Sequence, residues 1–121
     1  MNPEEAPKTK KARTKIIQMF KDQGYQVTEE EIFPCINNMG DFKLDYQADI
    51  VIRKVFILEL DPEFHGSHKH RNKDYWRDKN IEREYNIKTV RMDPGDIIKL
   101  DPLDIILECD SQLKNDNKNE L

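Results

Sequence analysis

Residues 48–61 constrain the fold more than any other stretch: Ala-Asp-Ile-Val-Ile-Arg-Lys-Val-Phe-Ile-Leu-Glu-Leu-Asp. Two short β-branched and aromatic runs flank Arg53-Lys54, which predicts a strand hairpin. Side chains alternate across a strand, so Glu59 and Asp61 share a face with Val55 and Ile57. Phe56, Leu58 and Leu60 take the other. Carboxylates closing a buried apolar run repel each other and lose hydration unless a cation or partner offsets them. Asp49, Glu59 and Asp61 are therefore the first candidates for a metal site. A hard cation such as Mg²⁺ takes oxygen ligands, often one or two carboxylates completed by water and substrate phosphate.

The rest of the chain limits what such a site could serve. Its 121 residues suit one domain, and 36% of them are hydrophobic and 36% charged, so the core is modest. A net charge of −4 argues against gripping nucleic acid by bulk charge. The charge is unevenly spread, however. Lys8, Lys10, Lys11, Arg13, Lys15 and Lys21 follow one another without an acid, and residues 69–91 are also rich in Lys and Arg. A basic side can hold a phosphate backbone despite the negative total. The bland reading of the first group is a solvated helix face.

Cys35 and Cys109 form no CxxC, so a zinc ribbon is excluded on ligand count and a reducing, cytoplasmic setting is expected. No apolar run approaches a membrane span, and no signal core opens the chain. With four glycines there is no phosphate-cradling loop, so an NTPase is excluded, and no Ser or Cys motif suggests acyl transfer. His65, His68 and His70 could bind Zn²⁺, but a solvated loop is the simpler reading.

In order, the pattern predicts a flexible tail over 1–8, a single domain over 9–113 and a second tail over 114–121. Thr9 to Gln23 reads as a helix with a stripe of Ala12, Ile16, Met19 and Phe20, ended by Gly24. Tyr25-Gln26-Val27 reads as a short strand. Glu29, Glu30 and Glu31 open a short helix capped by Thr28 and ended by Pro34. Residues 37–40 read as a turn. Phe42, Leu44 and Tyr46 alternate into the hairpin. Residues 63–68 form a loop, and Lys69 to Tyr85 a helix that Asn86 ends. Trp76 reads as core against the sheet. The alternative, with Tyr75 and Trp76 interleaved among Arg71, Lys73 and Arg77, is base stacking beside phosphate contacts. Ile87 to Met92 is a strand, Asp93 to Asp96 a turn, and Asp101-Pro102 a helix start with a stripe of Leu103, Ile106 and Leu107. Residues from Ser111 onward read as frayed. The sum is an α/β domain with a mixed sheet covered by helices.

One ordered set of residues adds a resemblance. Tyr46 and Asp49 precede and open a strand. Val55 to Leu58 run into Glu59-Leu60-Asp61, and His65 follows. Asp74-Tyr75-Trp76-Arg77-Asp78 begins a helix, and Thr89-Val90-Arg91 a strand. This resembles the PD-(D/E)XK nuclease superfamily, in particular very-short-patch-repair-type endonucleases and their small relatives. The resemblance implies a restriction-endonuclease-like core and a Mg²⁺-dependent endonuclease acting on DNA, with Mn²⁺ as a substitute metal. The DNA would be a repair substrate (a mismatch or nick) or a branched structure such as a Holliday junction, the latter implying a homodimer. It implies Asp49 and Glu59 as metal ligands with the Leu60 carbonyl. Asp61 stands where many members keep a Lys, and would add to metal binding or act on the water. Arg77 becomes the candidate positive charge at the phosphate, and His65 a general acid or base. Lys10, Lys11, Arg13, Arg71, Lys73 and Arg77 are the candidate DNA contacts. Many relatives carry a Glu in the first helix; aligning Gly24 puts Arg13 at its place. That substitution and the missing Lys suit the alternative, an inactive nucleic-acid-binding module on the same scaffold.

Overall fold

A computed structural model describes residues 6–36, 43–53, 55–62 and 72–115, without the side chains of Lys43, Asn72, Lys73 and Asn115. His65, His68, His70, Arg71 and the turn expected at 37–40 lie outside the described residues. The elements run α1 (Pro7–Asp22), β1 (Val27–Ile36), β2 (Lys43–Ile52), β3 (Phe56–Leu60), α2 (Asn72–Tyr85), β4 (Lys88–Met92), α3 (Pro94–Lys99) and α4 (Pro102–Asn115). The strands form one mixed sheet in the order β1-β2-β3-β4. β1, β2 and β3 pair antiparallel, and β3 pairs parallel with β4 across α2.

The hairpin reading holds, and with it the face assignment. Phe56, Leu58 and Leu60 join Ile50, Ile52, Val90 and Met92 against Ala12, Ile16 and Phe20 of α1, Ile97 of α3, and Ile105 and Cys109 of α4. Ile57 faces the other way, into a smaller core with Phe33, Cys35, Ala48, Val51 and Ile81 of α2. Both cysteines are free and buried.

The structure corrects several sequence expectations. The helix expected at Thr28–Pro34 is the long strand β1. Pairing with β2 from Val27↔Ile52 to Ile36↔Lys43 outweighs the helix preference of three glutamates. Pro34 fits because β1 is an edge strand. The turn expected at 93–96 is the helix α3. Asp93 caps it by accepting from the Gly95 N–H (2.7 Å), Pro94 opens it, and Ile97 is buried. Lys15 Nζ closes its far end on the carbonyls of Ile97 (2.7 Å) and Leu100 (2.5 Å). α4 continues to Asn115 instead of fraying from Ser111. Its buried ridge is Ile105, Cys109 and Leu113, while Leu103 and Leu107 are exposed. Two i, i+4 ridges compete on this helix, and the sheet takes the one that runs a turn further. Trp76 is 54% exposed, packed edge-on to Tyr75 instead of on the sheet. Asn86 ends α2 at φ 54°, the left-handed position expected of it.

Candidate functional site

Two of the sheet's ladders fail beside the same residue. β1 and β2 pair on both sides of Glu30 and Asp49, but these two residues do not pair, and Glu30 sits at φ 54°. The inward-facing parity of β2 inverts there: Ala48 belongs to the α2-side core and Ile50 to the other. The β2–β3 ladder also stops, at Ile50↔Leu58. The main-chain groups released by this break need partners.

Side-chain carboxylates supply them. The Asp49 N–H donates to Glu59 Oε2 (2.7 Å). The Leu60 N–H donates to Asp49 Oδ2 (2.9 Å). Each acid thus holds the other's strand across the gap, and one oxygen of each carboxylate is fixed by an amide. The second oxygens face guanidiniums. Arg77 Nη2, from α2, lies 2.5 Å from Glu59 Oε1 and donates to the Gln47 carbonyl. Arg13 Nη2, from α1, lies 3.9 Å from Asp49 Oδ1, while its Nη1 donates to the Asp49 carbonyl (3.1 Å) and approaches Glu29 (3.7 Å).

A third arginine stands behind them. Arg91, level with Glu59 in the β3–β4 register, donates through Nε (3.3 Å) and Nη2 (2.9 Å) to Asp78 and lies 3.9 Å from Asp74. Burial works against the Arg91 charge, but Asp78, Asp74 and Glu59 outweigh it and hold its proton more tightly than usual. Tyr46 lies under the Arg77 guanidinium, 5.8 Å from ring centroid to Cζ, and its hydroxyl accepts from Asn80 Nδ2 (3.3 Å).

Glu59 is 4% exposed. Burial and the nearby Asp49 charge push its pKa up to about 7, although Arg77 and the Asp49 amide favour the charged form. The Asp49 side chain is a third exposed and forms the open side of the site.

The structure therefore brings together Asp49, Glu59, Arg77 and Arg13. Asp61 follows β3 half-buried, its N–H bonded to the Met92 carbonyl (2.9 Å). Among the described residues, no group of three His, Cys, Asp or Glu side chains is arranged to hold a metal, so Asp61 does not complete a trio with the other two. Lys10 and Lys11 lie on the exposed face of α1. Lys73 lies in α2 without a described side chain.

Asp49 and Glu59 are oxygen donors of the kind a small hard cation takes, and Mg²⁺ needs few protein carboxylates, but Arg77 holds Glu59 Oε1 and Arg13 faces Asp49 Oδ1. The contacts described join five carboxylates (Glu29, Asp49, Glu59, Asp74 and Asp78) to three guanidiniums (Arg13, Arg77 and Arg91). The local charge balance is negative.

Sequence reasoning brought Arg13 to the site only through the resemblance, at the position of a first-helix Glu, and did not foresee its pairing with Asp49. The signal was present: Arg13 precedes Ile16 by three and Phe20 by seven, which puts a charge on the apolar stripe of α1. No protein-family model, curated protein or solved structure matches this chain.

Proposed function

We propose that this protein is a metal-dependent DNA endonuclease, with Asp49 and Glu59 holding a Mg²⁺ ion and Arg77 serving the phosphate. One observation carries the reading. At the point where β2 and β3 part, two carboxylates bond reciprocally to main-chain amides, and their second oxygens face the guanidiniums of Arg77 and Arg13. Two acids fixed in this way at a break in the sheet, each with an arginine facing its second oxygen, bring together the carboxylates a cation would need and the guanidiniums a phosphate would need.

When bound, Mg²⁺ supplies charge at a phosphoryl oxygen and a more acidic water. The remaining work falls to the chain. The Leu60 carbonyl, next to Glu59 at the strand end, would add a third oxygen ligand. Arg77 would meet the charge that develops on the phosphate, since a guanidinium fork matches two of its oxygens. Arg13 would steady Asp49 from the side of α1 through the Asp49 carbonyl. The exposed pair Tyr75 and Trp76, next to Arg77, offers faces on which unpaired bases can stack. Mismatched DNA offers such bases more readily than a regular duplex does, which favours a structure-selective enzyme.

A second reading has its own support. Arg13 stands in α1 where an acid would help hold metal, and it pairs with Asp49. This favours a nucleic-acid-binding module without catalysis. Cleavage of nicked, mismatched and four-way DNA with Mg²⁺ or Mn²⁺ separates the two. The nuclease reading expects cutting that Asp49→Ala and Glu59→Ala each abolish while DNA binding survives. Binding without cutting under either metal would leave the second reading in place.

A further inference from the structure

The site carries its own counter-ions, and they occupy the oxygens a metal would need. Arg77 Nη2 holds Glu59 Oε1 at 2.5 Å. A divalent cation on that oxygen and a guanidinium in contact with it would repel strongly at so buried a position. The observed pose of Arg77 is also incompletely satisfied. Its Nη2 serves both Glu59 and Gln47, while its buried Nε has no hydrogen-bond partner among the described residues. An orphaned buried donor disfavours a pose. Bidentate contact with a phosphate would use Nε together with an Nη. The side chain is 20% exposed, at the edge of the site and not locked in the core.

Resting on the metal-site reading above, we propose that Arg77 is a displaceable counter-ion. It neutralises Glu59 in the metal-free protein, gives up that carboxylate when a divalent cation is bound there, and turns to a phosphate of the DNA. Metal and DNA then bind cooperatively. Without metal, the Arg77 charge is spent inside the protein and attracts phosphate weakly. With metal, the same charge is presented outward. Linkage makes the effect reciprocal: DNA must tighten metal by the factor that metal tightens DNA.

The test uses Ca²⁺ as the probe cation and a short nicked duplex at fixed ionic strength. Calorimetry reads Ca²⁺ binding and fluorescence anisotropy reads DNA binding. The native protein should bind DNA about tenfold tighter with Ca²⁺, within the usual range of coupling between sites. Divalent cations otherwise weaken contacts to DNA phosphates by competing for them. Arg77→Ala should bind Ca²⁺ several-fold more tightly than the native protein without DNA, and should lose the tightening of DNA by Ca²⁺. A purely structural arginine predicts the reverse, weaker Ca²⁺ binding from a carboxylate that has lost its support. Unchanged or weaker Ca²⁺ binding, or coupling that persists in Arg77→Ala, overturns the exchange. The native protein alone gives an independent readout should that variant not fold. The Arg77 Nε–Hε resonance, assigned by its loss in Arg77→Lys, should move with Ca²⁺ at the calorimetric midpoint. A resonance that stays still while Ca²⁺ binds overturns the proposal. The underlying reading fails differently: no Ca²⁺ binding, or binding that Asp49→Ala leaves intact, removes the metal site itself.

Discussion

The two faces of the sheet are built on different principles. Toward α1, α3 and α4 the sheet presents Ile50, Ile52, Phe56, Leu58, Leu60, Val90 and Met92, and the helices answer with apolar side chains. Toward α2 it presents a small apolar cluster and then, further along the same strands, Glu59 and Arg91. The first face gains stability from packing area. The second spends stability on charges out of water, and β2 changes which face it serves at Asp49, beside both. Stability and the proposed chemistry are thus divided between two sides of one four-stranded sheet.

Mutations should separate the faces. Leu58→Ala and Ile16→Ala remove fully buried side chains from the apolar face. Each should cost about 2–5 kcal/mol in urea unfolding, with Ca²⁺ affinity little changed below the unfolding transition. Comparable loss of Ca²⁺ binding from either would show that the two faces are not independent.

Glu59 should behave in the opposite sense. Its folded pKa of about 7 exceeds the ordinary 4.5, so the fold favours the protonated form. Between those values the folded state holds more protons than the unfolded one, and stability falls as pH rises. The metal-free protein should lose up to about 3 kcal/mol from this group between pH 4 and pH 8, an upper bound set by that shift. Glu59→Gln should flatten this part of the profile and abolish Ca²⁺ binding. A native protein whose stability rises across that window would break the comparison.

Lys15→Met tests a smaller link. Lys15 reaches from α1 to the carbonyls that end α3. Its loss should cost about 1–2 kcal/mol in thermal or urea unfolding, a typical range for hydrogen bonds involving a charged group. Trp76→Ala should change stability least, within about 0.5 kcal/mol, because the ring is half exposed. It should instead weaken binding to nicked or mismatched DNA by about 1–3 kcal/mol if the ring stacks on a base. Destabilisation without any effect on DNA would return Trp76 to a packing role.

Some of this was legible in the chain. The hairpin and its facing residues, the α1 stripe and the Gly24 stop are local patterns with one dominant solution. The Asp101-Pro102 helix start is another. The same Asp-Pro signal at Asp93-Pro94 predicted a turn, because Gly95 and the short span hid a two-turn helix that Lys15 caps from a distance. β1 was misread because three glutamates favour a helix locally, and only pairing with β2 makes ten extended residues stable. On α4 the sequence offered two apolar ridges, and nothing local chose between them. The site was partly legible: Asp49, Glu59 and Arg77 stood out by chemistry and order, while Arg13 came in only through the resemblance and as a candidate DNA contact, not as the partner of Asp49.

The sequence by itself determined that an apolar hairpin carries acids at one end, because alternation places side chains without reference to the rest of the molecule. It also determined that a basic helix precedes that hairpin and a helix of mixed charge follows it. Tertiary structure decided what those acids are bonded to. Where the ladders break at Asp49 and beyond Leu58, the main chain must find partners, and it finds Asp49 and Glu59. Distant segments then bring Arg13 and Arg77 to the remaining oxygens, 36 and 18 residues away in the chain from the acids they meet. Long-range electrostatics of this kind leaves no period or spacing in a sequence, because it is set by which faces pack together.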